Sequence, residues 1–235
     1  VADVYASCFT YSRKRLDVWL DRLLPGPRDA PRLLDVGCGT GHHLARYGTL
    51  GYEVSGVDGS EEMLAHAREA NPGVSLQMAD VESLPFPDAA FDCALSVEVL
   101  RYLPAPGPAL REMGRVLRPG GVLVATAAPL LNMNGYWLVN RLAVALPVPG
   151  LTRLRQFFVT SGGLKKALED AGFDQVEVHG VYLGPVNWVQ RLAPWALPTV
   201  LRTWERWDAS LADRKPFREL ANMFVVRAVR AGAAG

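Results

Sequence analysis

The chain has little cysteine: three residues, Cys8, Cys38 and Cys93, among 235. They are too few and too scattered for a disulfide framework or a zinc site with paired ligands, and they fit a reducing compartment. Charge of one sign is lacking too. Lys plus Arg is 25 against 24 for Asp plus Glu, a net charge of +1. There is thus no bulk electrostatic reason to bind nucleic acid, which calls for a basic face against phosphate. Long apolar runs are absent. The stretches 138–151 and 181–201 are broken by Arg141, Pro147, Pro149, Arg191 and Pro194, whereas a membrane-spanning helix needs roughly 20 mostly apolar residues. Val1 to Arg15 lacks the basic-apolar-small order of a secretory signal, so a cytoplasmic location is expected. The chain begins at Val rather than Met, which leaves room for a short leader ahead of it. No internal repeat or low-complexity segment is visible.

What is present suits a folded enzyme-sized chain. Hydrophobic residues make up 49% and charged residues 21%, enough to bury a sizeable core and too apolar for wholesale disorder. Val4 to Leu24 carries Leu16, Trp19, Leu20, Leu23 and Leu24 at helical spacing, and Pro25-Gly26-Pro27 stops it. A regular alternation follows. Strands are expected at 33–36, 53–58, 74–78, 91–96 and 122–126. Helices are expected at 42–50, from Ser60 onward, and at 108–117, with Ser60 as cap and Glu61 and Glu62 at the positive helix end. Arg118-Pro119-Gly120-Gly121 reads as a turn. A helix at 162–171 and strands at 176–182 and 224–229 close the plan. Strands alternating with helices argue for a parallel α/β sheet. Two apolar segments, 130–158 and 183–222, interrupt it; the second holds four of the six tryptophans. They read as insertions into the α/β plan, so residues 1–235 are expected to form a single domain.

The strongest chemical signal is Asp35-Val36-Gly37-Cys38-Gly39-Thr40-Gly41. Glycines at every second position, after a strand and before a helix, let backbone approach a ligand closely. Asp58 ends the next strand about 20 residues on, where an acidic side chain takes both hydroxyls of a ribose; the alternative is a strand-end turn residue. A dinucleotide fingerprint spaces its glycines as Gly-x-Gly-x-x-Gly around a pyrophosphate. The spacing here differs and implies no pyrophosphate. An acidic group at Asp35 instead suits a ligand with a positive charge or an amino group.

These residues resemble the class I S-adenosylmethionine-dependent methyltransferases, in the small-molecule group often called type 11. The match runs through Leu34 to Gly41, Val57 to Leu64, Ala79 to Phe86, Phe91-Asp92 and Ala109 to Gly121, and covers about Arg32 to Thr126 in detail. The resemblance implies a Rossmann-like fold. Its mostly parallel seven-stranded sheet has helices on both faces, an antiparallel last strand and apolar lid insertions. It divides the chain into an N-terminal helical cap (1–30), a cofactor-binding core (31–129) and substrate-lid insertions (130–160 and 183–222). It implies S-adenosylmethionine as cofactor and S-adenosylhomocysteine as product, with no metal. Gly37, Cys38 and Gly39 would lie along the methionine part. Asp58 would hold the ribose, and Gly59 and Met63 would border the adenine, although Met63 alone would read as core packing. Asp80 would accept from the adenine amino group with the Val81 backbone beside it, and Ser96 would sit near the amino-acid end. In the implied reaction a nucleophilic O, N, S or C attacks the sulfonium methyl in line, so positioning and desolvation carry much of catalysis.

An O or N nucleophile can need a base. Candidates are His42 and His43, at a helix start that favours neutral imidazole, His179, Glu98, Tyr102, Tyr5 and Tyr11. Each histidine can equally be packing or facing solvent. Arg101 and Tyr102 stand where related sequences commonly carry histidine, which counts against a histidine base there. Tyr11, Trp137, Trp188 and Trp195 are lid candidates. Trp188, Leu192 and Trp195, and Val200, Trp204, Trp207 and Leu211, fall at helical spacing, and such stripes usually face a core. A tryptophan-rich lid implies an apolar or aromatic small-molecule acceptor. Tryptophan interspersed with arginine also suits a membrane surface, so lipids or quinone-like molecules and peripheral membrane contact stay open. Competing readings are a nicotinamide-dependent oxidoreductase and a non-catalytic S-adenosylmethionine-binding protein. No Asn or Asp precedes Pro-Pro-aromatic, and no Pro-Cys pair occurs, so nucleic-acid bases are not expected acceptors.

Overall fold

In the computed structural model the described residues are 2–28, 31–145, 155–184, 189 and 192–232; for residues 2–12 and a few later positions this means backbone alone. The helices are α1 (Ala2–Leu23), α2 (His42–Thr49), α3 (Glu61–Ala70), α4 (Gly107–Val116), α5 (Tyr136–Ala145), α6 (Ser161–Asp170) and α7 (Leu197–Leu211). The strands are β1 (Arg32–Val36), β2 (Glu53–Asp58), β3 (Ser75–Met78), β4 (Phe91–Ser96), β5 (Leu117–Ala127), β6 (Phe173–Val181) and β7 (Met223–Arg230). They form one seven-stranded sheet in the order β3-β2-β1-β4-β5-β7-β6, parallel through β1 to β5 and with an antiparallel last strand. This is the Rossmann-like plan expected above.

The chain forms two compact units, each assembled from three stretches. The first comprises Leu23–Thr126, Lys165–Glu177 and Val226–Gly235; the second comprises Val1–Arg22, Ala127–Leu164 and Val178–Val225. In the first unit, Leu33, Leu34 and Val36 of β1, Cys93 to Leu95 of β4 and Leu123 to Ala125 of β5 are fully buried. Burial of successive residues means that both sheet faces are covered, as parallel strands require. α4 buries Ala109, Leu110, Met113, Gly114 and Val116, one face at helical spacing. Gly114 leaves room for Phe173, whose ring carbons would lie 3.4 Å from an added Cβ. Ser60 caps α3 by accepting from the Met63 N–H at 3.3 Å, beside Glu61 and Glu62 in the first turn.

The expected turn at Arg118 to Gly121 is instead the irregular start of β5. Leu117 already pairs with Phe91, and the register shifts between Phe91 and Cys93. Gly120 has φ +75°, and a Cβ at Gly121 would lie 2.8 Å from the Arg118 carbonyl oxygen. The two glycines let the strand bulge and continue.

The second unit is held around the chain that leaves β6. Buried Asp208 of α7 accepts from Arg15 Nε at 3.0 Å and from the Leu183 N–H at 2.6 Å. Trp204 donates its indole N–H to the Leu183 carbonyl at 2.8 Å. Asn222 donates its amide to the Gly184 carbonyl at 2.9 Å and accepts from Asn134 at 2.5 Å. The Asn222 N–H donates to the Tyr182 carbonyl at 2.9 Å. The expected inward-facing tryptophan stripes are only partly realised: Trp204 is half-buried, whereas Leu192, Trp195 and Trp207 are 78%, 83% and 62% exposed. Periodicity identifies a face but not whether anything covers it. Among the described residues no helix is long and apolar enough to cross a membrane.

Candidate active site

β1 lies between β2 and β4, so successive crossovers leave it in opposite directions. In such sheets ligands bind at this point, outside the carboxyl ends of the strands. The glycine loop sits at this end of β1. The Gly37 and Cys38 N–H groups both donate to the Val57 carbonyl, at 2.8 and 2.9 Å, which ties the loop to β2. Asp58, ending β2, completes the tie: Oδ2 accepts from the Gly39 N–H at 2.8 Å and Oδ1 from the Ser60 N–H at 2.9 Å. Gly37, Gly39 and Gly41 all take positive φ, +77°, +53° and +79°. They differ in surroundings. A Cβ at Gly37 would lie 2.3 Å from Val99 Cγ2, and one at Gly41 2.3 Å from Asn71 Nδ2, while one at Gly39 would meet nothing within 4 Å. The side chains of Val99 and Asn71 pack against Gly37 and Gly41, and open space lies over Gly39.

Asp35 is 1% exposed, and its Oδ2 has no hydrogen-bond partner. Burial, reinforced by the charge of Asp58, pushes its carboxyl up to about 7. Ser96, ending β4, is fully buried with an unpartnered hydroxyl. Buried polar groups are normally hydrogen-bonded, so two orphans at neighbouring strand ends fit a site built for a polar ligand. Past Ser96 the chain bends sharply. Glu98 takes φ +63°, uncommon for a residue with a side chain. Its N–H donates to Thr126 Oγ1 at 2.7 Å, and its carboxylate pairs with Arg101.

Asp80 follows β3 and accepts through Oδ1 from the Glu82 N–H at 2.9 Å. Its loop is fastened by Arg115, which donates to the carbonyls of Phe86 and Leu84 at 2.8 and 3.0 Å and pairs with Asp88 and Glu112. Gly59, Asp80 and Met63 are exposed, and Val81 half-buried. Cys38 is buried, and burial with the nearby Asp35 and Asp58 charges pushes its thiol up to about 12.

The structure thus gathers Asp35, Gly37, Cys38, Gly39, Asp58, Ser96 and Glu98 at the carboxyl ends of the central strands of the first unit. The other base candidates lie apart in character. His42 is exposed; His43 stacks over Tyr47 with centroids 6.3 Å apart. Tyr102 is 46% exposed. His179 belongs to the second unit, where Nδ1 lies 2.8 Å from Asp213 Oδ2 and the ring stacks on Trp19 at 4.4 Å. Trp137 is 41% exposed, with the Arg141 guanidinium 5.7 Å above its ring. Trp188 and the side chains of Tyr5 and Tyr11 lie outside the described residues. Sequence reasoning missed Val99, Asn71, Thr126 and Arg115. Their contacts are long-range in sequence, and no local motif signals them.

A family model described as a methyltransferase domain matches residues 34–125. The malonyl-[acyl-carrier protein] O-methyltransferase of Erwinia pyrifoliae is 44% identical over 114 residues, 47% of this chain and 44% of that protein. The chain therefore spans less than half that relative's length. The ubiquinone biosynthesis O-methyltransferase of Parvibaculum lavamentivorans is 28% identical over 185 residues, covering 76% of this chain and 73% of its own. A solved S-adenosylmethionine-dependent methyltransferase from Mesorhizobium loti matches at TM-score 0.62 and 25% identity, covering 90% of this chain and 95% of that one.

Proposed function

We propose that this chain, which carries a class I S-adenosylmethionine-dependent methyltransferase domain, transfers a methyl group to a small apolar or aromatic acceptor. The observation that carries the proposal is Asp35: a buried carboxylate with an unpartnered oxygen, two residues before the glycine loop. A ligand with an ammonium group satisfies it, and a pyrophosphate would be repelled by it. This disfavours a nicotinamide dinucleotide in the same place.

S-adenosylmethionine, when bound, supplies a methyl group already activated on a sulfonium. The chain's residues then bind and orient. Asp35 would take the amino group, with Ser96 Oγ beside the amino-acid end. Gly37, Cys38 and Gly39 would lend backbone along the methionine part, using the open space over Gly39. Asp58 retains lone pairs beyond those used by Gly39 and Ser60, and these would accept the ribose hydroxyls. Gly59 and Met63 would border the adenine, Met63 with a soft apolar face, and Asp80 would accept from its amino group beside the Val81 backbone. Glu98 is our choice to orient or deprotonate the acceptor, because strained backbone concentrates at functional sites. The tryptophan-rich composition of residues 130–160 and 183–222 supports the apolar acceptor class. Residues 1–235 would work as one methyltransferase domain. The buried free thiols of Cys38 and Cys93 support a cytoplasmic location.

The test has two parts. Calorimetry should show S-adenosylhomocysteine binding that Asp35→Asn weakens by about 10-fold or more, the scale of a lost charge-assisted bond. Methyl-labelled S-adenosylmethionine incubated with a cell extract should then place label in the organic-soluble fraction. Tighter binding of NAD than of S-adenosylhomocysteine would overturn the cofactor assignment. Label confined to macromolecules would overturn the acceptor class.

A further inference from the structure

We propose that α5 docks the chain on an anionic lipid bilayer surface. The helix departs from the pattern of one that faces water: Val139 and Asn140 are half-buried, and most of its described apolar side chains face outward. Its polar Asn140 is half-buried and accepts from the Gln156 N–H at 3.0 Å. Its outer face instead shows Trp137, Leu138, Leu142 and Val144, between 41% and 52% exposed. A helix in a soluble protein places apolar residues inward and polar ones outward. Four large apolar side chains turned outward on ten residues mark an interaction surface.

Charge selects the occupant. Arg141 lies on the same face, its guanidinium 5.7 Å over the Trp137 ring. Residues 130–160 contain Arg141, Arg153 and Arg155 and no acidic residue. Residues 183–222 contain six basic residues against four acids, and one of the acids, Asp208, is buried against Arg15. Together the segments carry a surplus of five positive charges in a chain whose total is +1. An apolar face with tryptophan at its edge and arginine but no carboxylate complements the interfacial zone of a negatively charged membrane. A second copy of the same face would bring like charges together, which opposes self-association.

The experiment is vesicle co-sedimentation of the full chain, a readout independent of methyl transfer and of the cofactor site. The chain should pellet about 10-fold more strongly with vesicles of phosphatidylcholine plus about one-third phosphatidylglycerol than with phosphatidylcholine alone, since each basic residue near the surface adds to binding. Raising salt to about 0.5 M should remove most of that preference. Leu138→Glu with Leu142→Glu should cut pelleting about 10-fold and leave the S-adenosylhomocysteine-induced rise in Tm unchanged, which shows the variant is folded. Arg141→Gln should lower the anionic preference and keep the residual neutral binding. A wild-type chain that stays in the supernatant with anionic vesicles overturns the proposal. So does a double variant that pellets like wild type, or a wild-type dimer that the double variant converts to monomer.

Discussion

Asp35 and Asp58 are two carboxylates with opposite fates at the carboxyl ends of neighbouring strands. Each oxygen of Asp58 accepts from the backbone it ties; Asp35 is buried with an unfilled oxygen. Because burial raises the Asp35 carboxyl from 3.8 to about 7, folding favours its protonated form. Its contribution to stability is fully present below about pH 4 and is lost as pH rises through about 7, at no more than about 1.4 kcal/mol per pH unit. The unliganded chain should therefore lose Tm between pH 5 and about 7 relative to Asp35→Asn, whose profile should be flatter in that window. An ammonium partner reverses the preference. Binding of S-adenosylhomocysteine at about pH 6 should release a proton, seen as a dependence of calorimetric enthalpy on the buffer's ionisation heat, and Asp35→Asn should abolish the release. Absence of any such dependence would sink the proposed pairing. At this scale the sequence reveals Asp58 by its distance from the glycine loop and Asp35 by its place before it. It does not reveal that Asp35 is buried with an unpartnered oxygen, because burial depends on strands far apart in the chain. Val99 against Gly37 is invisible for the same reason.

At the scale of elements, the glycine loop separates support from binding. Gly41 is enclosed: a Cβ would lie 2.3 Å from Asn71 Nδ2 and 3.2 Å from Ala67 Cβ. Asn71 meanwhile donates to the Gly41 carbonyl at 3.2 Å and the Ala67 carbonyl at 3.0 Å. Gly41→Ala should cost about 2–4 kcal/mol, the sum of overpacking and a left-handed backbone, read by urea denaturation. Gly39→Ala carries only the backbone cost of about 1–2 kcal/mol. It should instead weaken S-adenosylhomocysteine binding about 10-fold or more, because its methyl enters the open space over the loop. Equal effects of the two substitutions on binding would show that Gly39 faces no ligand. Elements with strong period and clear ends were legible within a residue or two: β2 and β4 coincide with their expected spans, and α2 and α4 nearly so. β5 was misread at its start because Pro-Gly-Gly has the composition of a turn. Only pairing with β4 reveals a bulged strand. In α7 the spacing of Trp204 and Trp207 was legible, but the exposure of Trp207 was not.

Across the whole molecule the chain passes between its two units five times. Neither unit is a contiguous fragment, although the family model matches the contiguous residues 34–125. A fragment of residues 23–126 retains the glycine loop, Asp35 and Asp58. It lacks the greater part of α6 from Lys165 onward, the start of β6 and the end of β7, which belong to the same unit. Phe173, which packs at Gly114, would be missing, a loss of core aromatic worth about 3–5 kcal/mol. That is a large share of a domain's usual stability. The fragment should show a broad, weakly cooperative melt by circular dichroism, and a sharp two-state transition near that of the full chain would refute this. This interleaving was legible only as two apolar interruptions of a regular pattern.

The single hydrogen bond from Asn222 to the Tyr182 carbonyl has a consequence for how this scaffold tolerates change. It joins the two ends of the long excursion between β6 and β7, strands that are neighbours in the sheet. The excursion is therefore a loop closed at its base, and Trp204, Asp208 and the Asn222 side chain fasten it to Leu183 and Gly184. The entropy of closing such a loop grows only with the logarithm of its length, by about 0.6 kcal/mol per doubling. Where those ties are kept, a change in the length of the tryptophan-rich segment alters the closure energy by less than one ordinary core substitution. The segment can therefore vary in length while the strands beside it keep their register.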